Sequence, residues 1–65
     1  MNIAAARRQL GLTQKQLADI LRTTPGHISK IERGIHASPF IELLMEAYLS
    51  NYRPANWPKK PGGKW

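Results

Sequence analysis

The segment TQKQLADILRTTPGHISKIERG, residues 13 to 34, contains two helix starts in quick succession, and that spacing constrains the fold more than any other feature. Thr13 is followed three residues later by Gln16, a capping box in which each side chain satisfies the other residue's free backbone N–H. Leu17, Ala18, Ile20 and Leu21 then supply one apolar stripe at helical spacing. Thr24 caps a second start, with Pro25 at the first helical position, where a missing N–H costs nothing. Ile28 and Ile31 share the inward face of that helix, and Gly34 ends it. Helices joined by a turn of about three to four residues cross at a wide angle, which leaves the second projecting from the surface.

The flanking sequence supplies a core for this pair. Asn2 to Leu10 is rich in Ala and Arg, both good helix formers, and Gly11 follows where a left-handed cap is needed. Ile3, Ala6 and Leu10 fall on one face. Ser38 and Pro39 repeat the capping device and open the helix FIELLMEAYLS. In it Ile41, Leu44 and Tyr48 make one apolar face, while Phe40, Leu43 and Ala47 make a second, displaced around the axis. A helix so broadly apolar in a short chain is expected to touch both its own core and a partner. The pattern predicts an all-α fold, a compact bundle of four or five short helices around the central pair. From Asn51 the sequence becomes NYRPANWPKKPGGKW, whose prolines forbid a helix and favour extended or disordered chain. The expected division is therefore a domain over 1–50 and a basic Pro-, Gly- and Trp-containing tail over 51–65.

Sixty-five residues are expected to form one domain, the whole mature protein, which a partner could help to stabilise. Without cysteine there is neither a disulfide nor a thiolate metal site, and the cytoplasm is the default location. Charges interrupt every apolar run, so a membrane span and a signal peptide are not expected. Two histidines are too few for a metal centre, and no small-molecule ligand or cofactor is expected. Asp19, Glu32, Glu42 and Glu46 have no histidine at partner spacing, so no catalytic residue is assigned and no enzymatic activity is expected. The net charge is +6, of which four cations, Arg53, Lys59, Lys60 and Lys64, lie in the last fifteen residues. Such a balance suits a polyanion, nucleic acid first and an anionic membrane surface second.

A projecting helix with a polar outer face has the dimensions to enter the DNA major groove. The run Gln14, Leu17, Ala18, Ile28, Ser29, Glu32, Gly34 and Pro39 resembles the helix-turn-helix signature of lambda-repressor and Cro-like (XRE family) DNA-binding domains, over about residues 3 to 50. The resemblance implies a lambda-repressor-like fold that binds double-stranded DNA, with bases read by Thr24, Pro25, Gly26, His27 and Lys30. It implies phosphate contacts from Gln14 and Lys15 at the first motif helix, and from Arg33 and His36 where the following loop, with Ile35 and Ala37, approaches the backbone. It further implies a structural ion pair between Arg7 and Glu32. Two positions depart from the pattern: Arg22 stands where a left-handed glycine is usual, and Thr23 where a hydrophobic residue packs under the turn.

Each of these residues also has a plainer role. Thr13, Thr24 and Ser38 are caps whatever else they touch, His27 can be a solvated surface side chain, and His36 a loop residue. Phe40, Leu43 and Ala47 can close a small core or form a homodimer contact on a palindromic operator. The tail can be an inert solubilising end, or can lay its cations and Trp57 against phosphates or a partner. The expected function is a small phage or mobile-element repressor that binds as a dimer and acts by operator occlusion. A Cro-like switch, an antitoxin-like autorepressor and an anti-CRISPR-associated regulator fit equally. The alternative is a protein-interaction module built on a degenerate helix-turn-helix, docking through Phe40, Leu43 and Tyr48.

Overall fold

The computed structural model describes residues 1–34 and 37–58, which form four helices and, among those residues, no strand. They are α1 (Ile3–Gln9), α2 (Gln14–Leu21), α3 (Pro25–Glu32) and α4 (Pro39–Leu49). Each begins on a side chain that accepts a backbone N–H three residues on: Asn2, Thr13, Thr24 and Ser38. At Thr13 the capping box is complete, since Gln16 Oε1 accepts the Thr13 N–H at 3.0 Å and Thr13 Oγ1 accepts the Gln16 N–H at 3.0 Å. Pro25 and Pro39 open α3 and α4.

Three of the helices stop in the same way. After α1, the N–H of Leu12 donates to Arg7 O and that of Gly11 to Arg8 O; after α2, Thr23 donates to Ala18 O and Arg22 to Asp19 O. After α4, Tyr52 donates to Ala47 O and Asn51 to Tyr48 O. This pairing satisfies carbonyls that the helix leaves free, and it requires a left-handed residue in the middle. Gly11 (φ 74°), Arg22 (φ 58°) and Asn51 (φ 76°) take that conformation. Only the first is glycine.

α2 and α3 pack on each other, and α1 lies across both α3 and α4. The core is Ile3, Ala6, Leu12, Leu17, Ala18, Ile20, Ile28, Ile31, Met45 and Tyr48. Leu12, Leu17, Ile28 and Met45 are fully buried, each contributing about 1.5–3 kcal/mol by leaving water. Two of these correct the sequence reading. Leu12 is in the α1–α2 connection, which has no periodicity to mark it. Met45 lies at the centre of the inward face of α4, with Ile41 and Leu44 only partly buried at its flanks.

Residues 51–58 return over the core. Trp57 packs edge-on against Tyr48, with ring centroids 5.2 Å apart, and Tyr52 stacks on the same ring at 6.2 Å. The Arg53 guanidinium lies 4.2 Å from the Trp57 ring centroid and donates to Tyr48 O and Tyr52 O. Asn56 Nδ2 donates to Asp19 O and Ile20 O, both at 3.1 Å, and so ties this segment to the end of α2.

Arg22→Gly is expected to raise the melting temperature. A left-handed non-glycine residue costs roughly 1 kcal/mol, and about that much is worth 4–8 °C in a domain of this size. A thermal melt by circular dichroism measures the change; an unchanged or lower value would show that the arginine stem stabilises the turn by as much as its conformation costs.

Candidate nucleic-acid interface

The projecting helix is held from beneath by apolar side chains and at its end by a charged pair. Ile28 and Ile31, one turn apart, are buried, and their stripe fixes which side of α3 faces outward. Thr24, Pro25, Gly26, His27, Lys30 and Arg33 are all exposed. The five residues expected to read bases therefore occur together at the outer surface of α3, four of them in its cap and first turn.

Arg7 Nε donates to Glu32 Oε2 at 2.6 Å, Nη2 to Glu32 Oε1 at 3.3 Å, and Nη1 to the backbone carbonyl of Leu12 at 2.9 Å. Gln14 Nε2 donates to Glu32 Oε1 at 2.9 Å. The cluster joins α1, the start of α2 and the last residue of α3, with both charged side chains more than nine-tenths buried. Burial pushes the Glu32 carboxyl up, but the hydrogen bonds from Arg7 and Gln14 and the charges of Arg7 and Arg8 outweigh it and hold it below its ordinary value of 4.5. A bidentate guanidinium fixes orientation as well as distance. The cluster therefore sets how α3 stands on α1 and α2.

Of the residues expected at phosphates, Gln14 lies at the start of α2 with one N–H committed to Glu32, and Lys15 is exposed beside it. Arg33 is exposed just past α3. His36, with Ile35, lies outside the described residues, as do Lys59, Lys60 and Lys64 of the tail; Ala37 packs partly buried against the core. Phe40 and Leu43 are 68% and 64% exposed, whereas Ala47 is half-buried and its carbonyl is taken by Tyr52.

Gly26 is the unusual residue of α3. A Cβ placed on it meets nothing closer than Thr24 Oγ1 at 3.9 Å, so no internal packing requires glycine there. Glycine within a helix costs about 0.5–1 kcal/mol relative to alanine. The sequence marks Thr23 only as a departure from an apolar turn residue and does not show its contact, in which Oγ1 lies 2.8 Å from His27 Nδ1. A hydroxyl four residues before a histidine, across a helix start, is the only signal that could have suggested this contact. Among the described residues no group of three or more His, Cys, Asp or Glu could hold a metal ion, and no helix is long and apolar enough to cross a membrane.

A family model described as helix-turn-helix matches residues 3–52, more than three quarters of the chain. No curated protein and no solved structure matches it.

The charged pair is expected to make stability depend on acid. The unfolded Glu32 takes up its proton near 4.5 and the folded one at lower pH. The pair's contribution is thus fully present above about 4.5 and is lost as pH falls through the folded value. Urea midpoints measured from neutral pH downwards follow this limb. Glu32→Gln, which removes the carboxylate charge facing the buried Arg7, costs roughly 3–5 kcal/mol at neutral pH. The double variant Arg7→Met, Glu32→Leu recovers much of that loss and lacks this carboxylate's share of the acid limb; an acid limb identical to the parent's would place the titration elsewhere.

Proposed function

We propose that this chain, which belongs to the helix-turn-helix family, is a sequence-specific transcriptional regulator that inserts α3 into the major groove of double-stranded DNA. The family is one of DNA-binding regulatory domains rather than enzymes. The single observation that carries the reading is the outer surface of α3, where Thr24, Pro25, Gly26, His27 and Lys30 are exposed together above Ile28 and Ile31. Lys30 can donate to guanine O6 and N7, and the Thr24 methyl can meet a thymine methyl. Pro25 and Gly26 offer no polar side chain, and Gly26 lets the helix backbone come close to a base pair or phosphate. DNA shape supplies the rest of the discrimination.

Phosphate contacts fix the register. Gln14 has a second amide hydrogen beyond the one given to Glu32, and its orientation is set by that bond. Lys15 and Arg33 stand exposed at the start of α2 and just past α3, and His36 is assigned with them from the family pattern. Phe40 and Leu43, with Ala47 at their edge, are the candidate contact between two copies on a palindromic operator. The mechanism is occlusion: a dimer covers a promoter and excludes polymerase, as a small phage or mobile-element repressor in the cytoplasm does. The basic residues beyond Pro58 add sequence-independent attraction to the duplex.

Selection of bound duplexes from a randomised library at about 0.15 M salt tests this, because nonspecific binding there is typically only ~10⁻⁴ to 10⁻⁶ M. Enrichment of a palindrome is expected, with half-sites about one helical turn apart. Binding that fades with salt and selects no sequence would overturn base reading and favour a protein partner at Phe40 and Leu43. Gly26→Ala separates fold from function: stability is expected to rise by up to about 1 kcal/mol while affinity for the selected duplex falls. Equal or tighter DNA binding by that variant would mean that the helix backbone does not approach the duplex at Gly26.

A further inference from the structure

Thr23 closes the turn between α2 and α3. Its backbone N–H donates to Ala18 O at 2.8 Å, which fixes the position of its side chain relative to α2. Its hydroxyl then lies 2.8 Å from Nδ1 of His27, one turn into α3, although the imidazole is exposed and could have been left to water. The His27 backbone N–H is meanwhile taken by Thr24 Oγ1 at 3.2 Å and by Thr24 O at 3.0 Å. Backbone and ring are thus anchored separately, and the other ring nitrogen, Nε2, is left for an outside partner.

We propose that Thr23 is a positioning residue that holds His27 with Nε2–H outward as a hydrogen-bond donor, so that His27 reads the acceptor edge of guanine in the major groove. A hydroxyl can give or take a hydrogen bond, whereas neutral imidazole has one N–H and one bare nitrogen. The bare nitrogen is a stronger acceptor than an aliphatic hydroxyl, so the favoured arrangement has Thr23 O–H donating to Nδ1, and the proton of the ring stays on Nε2. Protonation of the ring reverses the Thr23 bond but leaves Nε2–H a donor. In either charge state the outward atom is a donor. Guanine offers it N7 and O6 as adjacent acceptors; adenine sets its N6 amino group beside N7, and cytosine presents an amino donor. Valine at position 23 would keep the shape under the turn and lose this control, which gives the departure from a hydrophobic residue there a function.

The base-reading half of this inference rests on the DNA-binding reading above, whereas the tautomer half does not. Long-range ¹H–¹⁵N spectra of the free protein, taken where His27 is neutral, assign the ring proton directly. The expected spectrum has Nδ1 bare and Nε2 protonated, with a shift towards mixed tautomers in Thr23→Val and recovery in Thr23→Ser. A proton on Nδ1 in the parent, or a tautomer unmoved in Thr23→Val, would overturn the positioning role whatever the protein binds. On the selected duplex, replacing the contacted guanine by 7-deazaguanine is expected to weaken the parent by about tenfold and Thr23→Val much less. Equal losses in both proteins, or a library that selects no guanine, would overturn base reading by His27 and leave the tautomer result to stand on the spectra.

Discussion

The fold depends on one buried ion pair. Arg7 and Glu32 sit at the far ends of the sequence that matters, on α1 and at the last residue of α3, and the carboxylate also takes Gln14 from α2. Apolar contacts among these helices are not directional, and helices as short as seven or eight residues could slide by a fraction of a turn with little change in buried area. A guanidinium bound to both carboxylate oxygens and to Leu12 O admits no such slide, because every donor must keep its partner. Burying the pair costs desolvation that its attraction only partly offsets, so its main return is a defined angle for α3 rather than stability.

The same reasoning extends to the turn in front of α3. Its geometry follows from the capping bonds Thr23 to Ala18 and Arg22 to Asp19, which need a left-handed residue at 22. Asn56 adds two further bonds to carbonyls at the end of α2, from a segment kept in place by Trp57 and Arg53 against Tyr48. The projecting helix is therefore held at its end by Glu32, along its inner side by Ile28 and Ile31, and at its start by a turn that is itself fastened from behind.

Much of this was legible in the sequence because short helices announce their ends chemically. Thr and Ser caps, prolines at first positions and Gly11 are local signals, and the helix-turn-helix spacing follows from them, whereas Asn2, read as part of the first helix, is its cap. Leu12 and Met45 were not legible: one is in a connection with no period, and the other lies between two apolar stripes that sequence alone cannot rank. The return of Trp57 onto Tyr48 was also hidden, since a proline-rich composition forbids helix without forbidding packing. The contact of Thr23 with His27 joins residues that neither cap nor core reasoning connects, because it depends on the angle of the turn.

The turn before α3 and the first residues of that helix are where local rules for stability are least obeyed. Glycine stands at a helical position with room for a methyl group, a polar Thr23 replaces an apolar residue at the turn, and Arg22 accepts a conformation suited to glycine. At Gly26 the locally favoured alanine is sterically available. Asn51, the other left-handed non-glycine residue, is of a type that tolerates that conformation, and the three departures named fall within five consecutive residues, 22 to 26, immediately before His27. Inside the domain, by contrast, no buried side-chain nitrogen or oxygen among the described residues lacks a partner. A chain that satisfies its interior so fully departs from the locally favoured residues at this one turn, and the surface proposed to read DNA begins there.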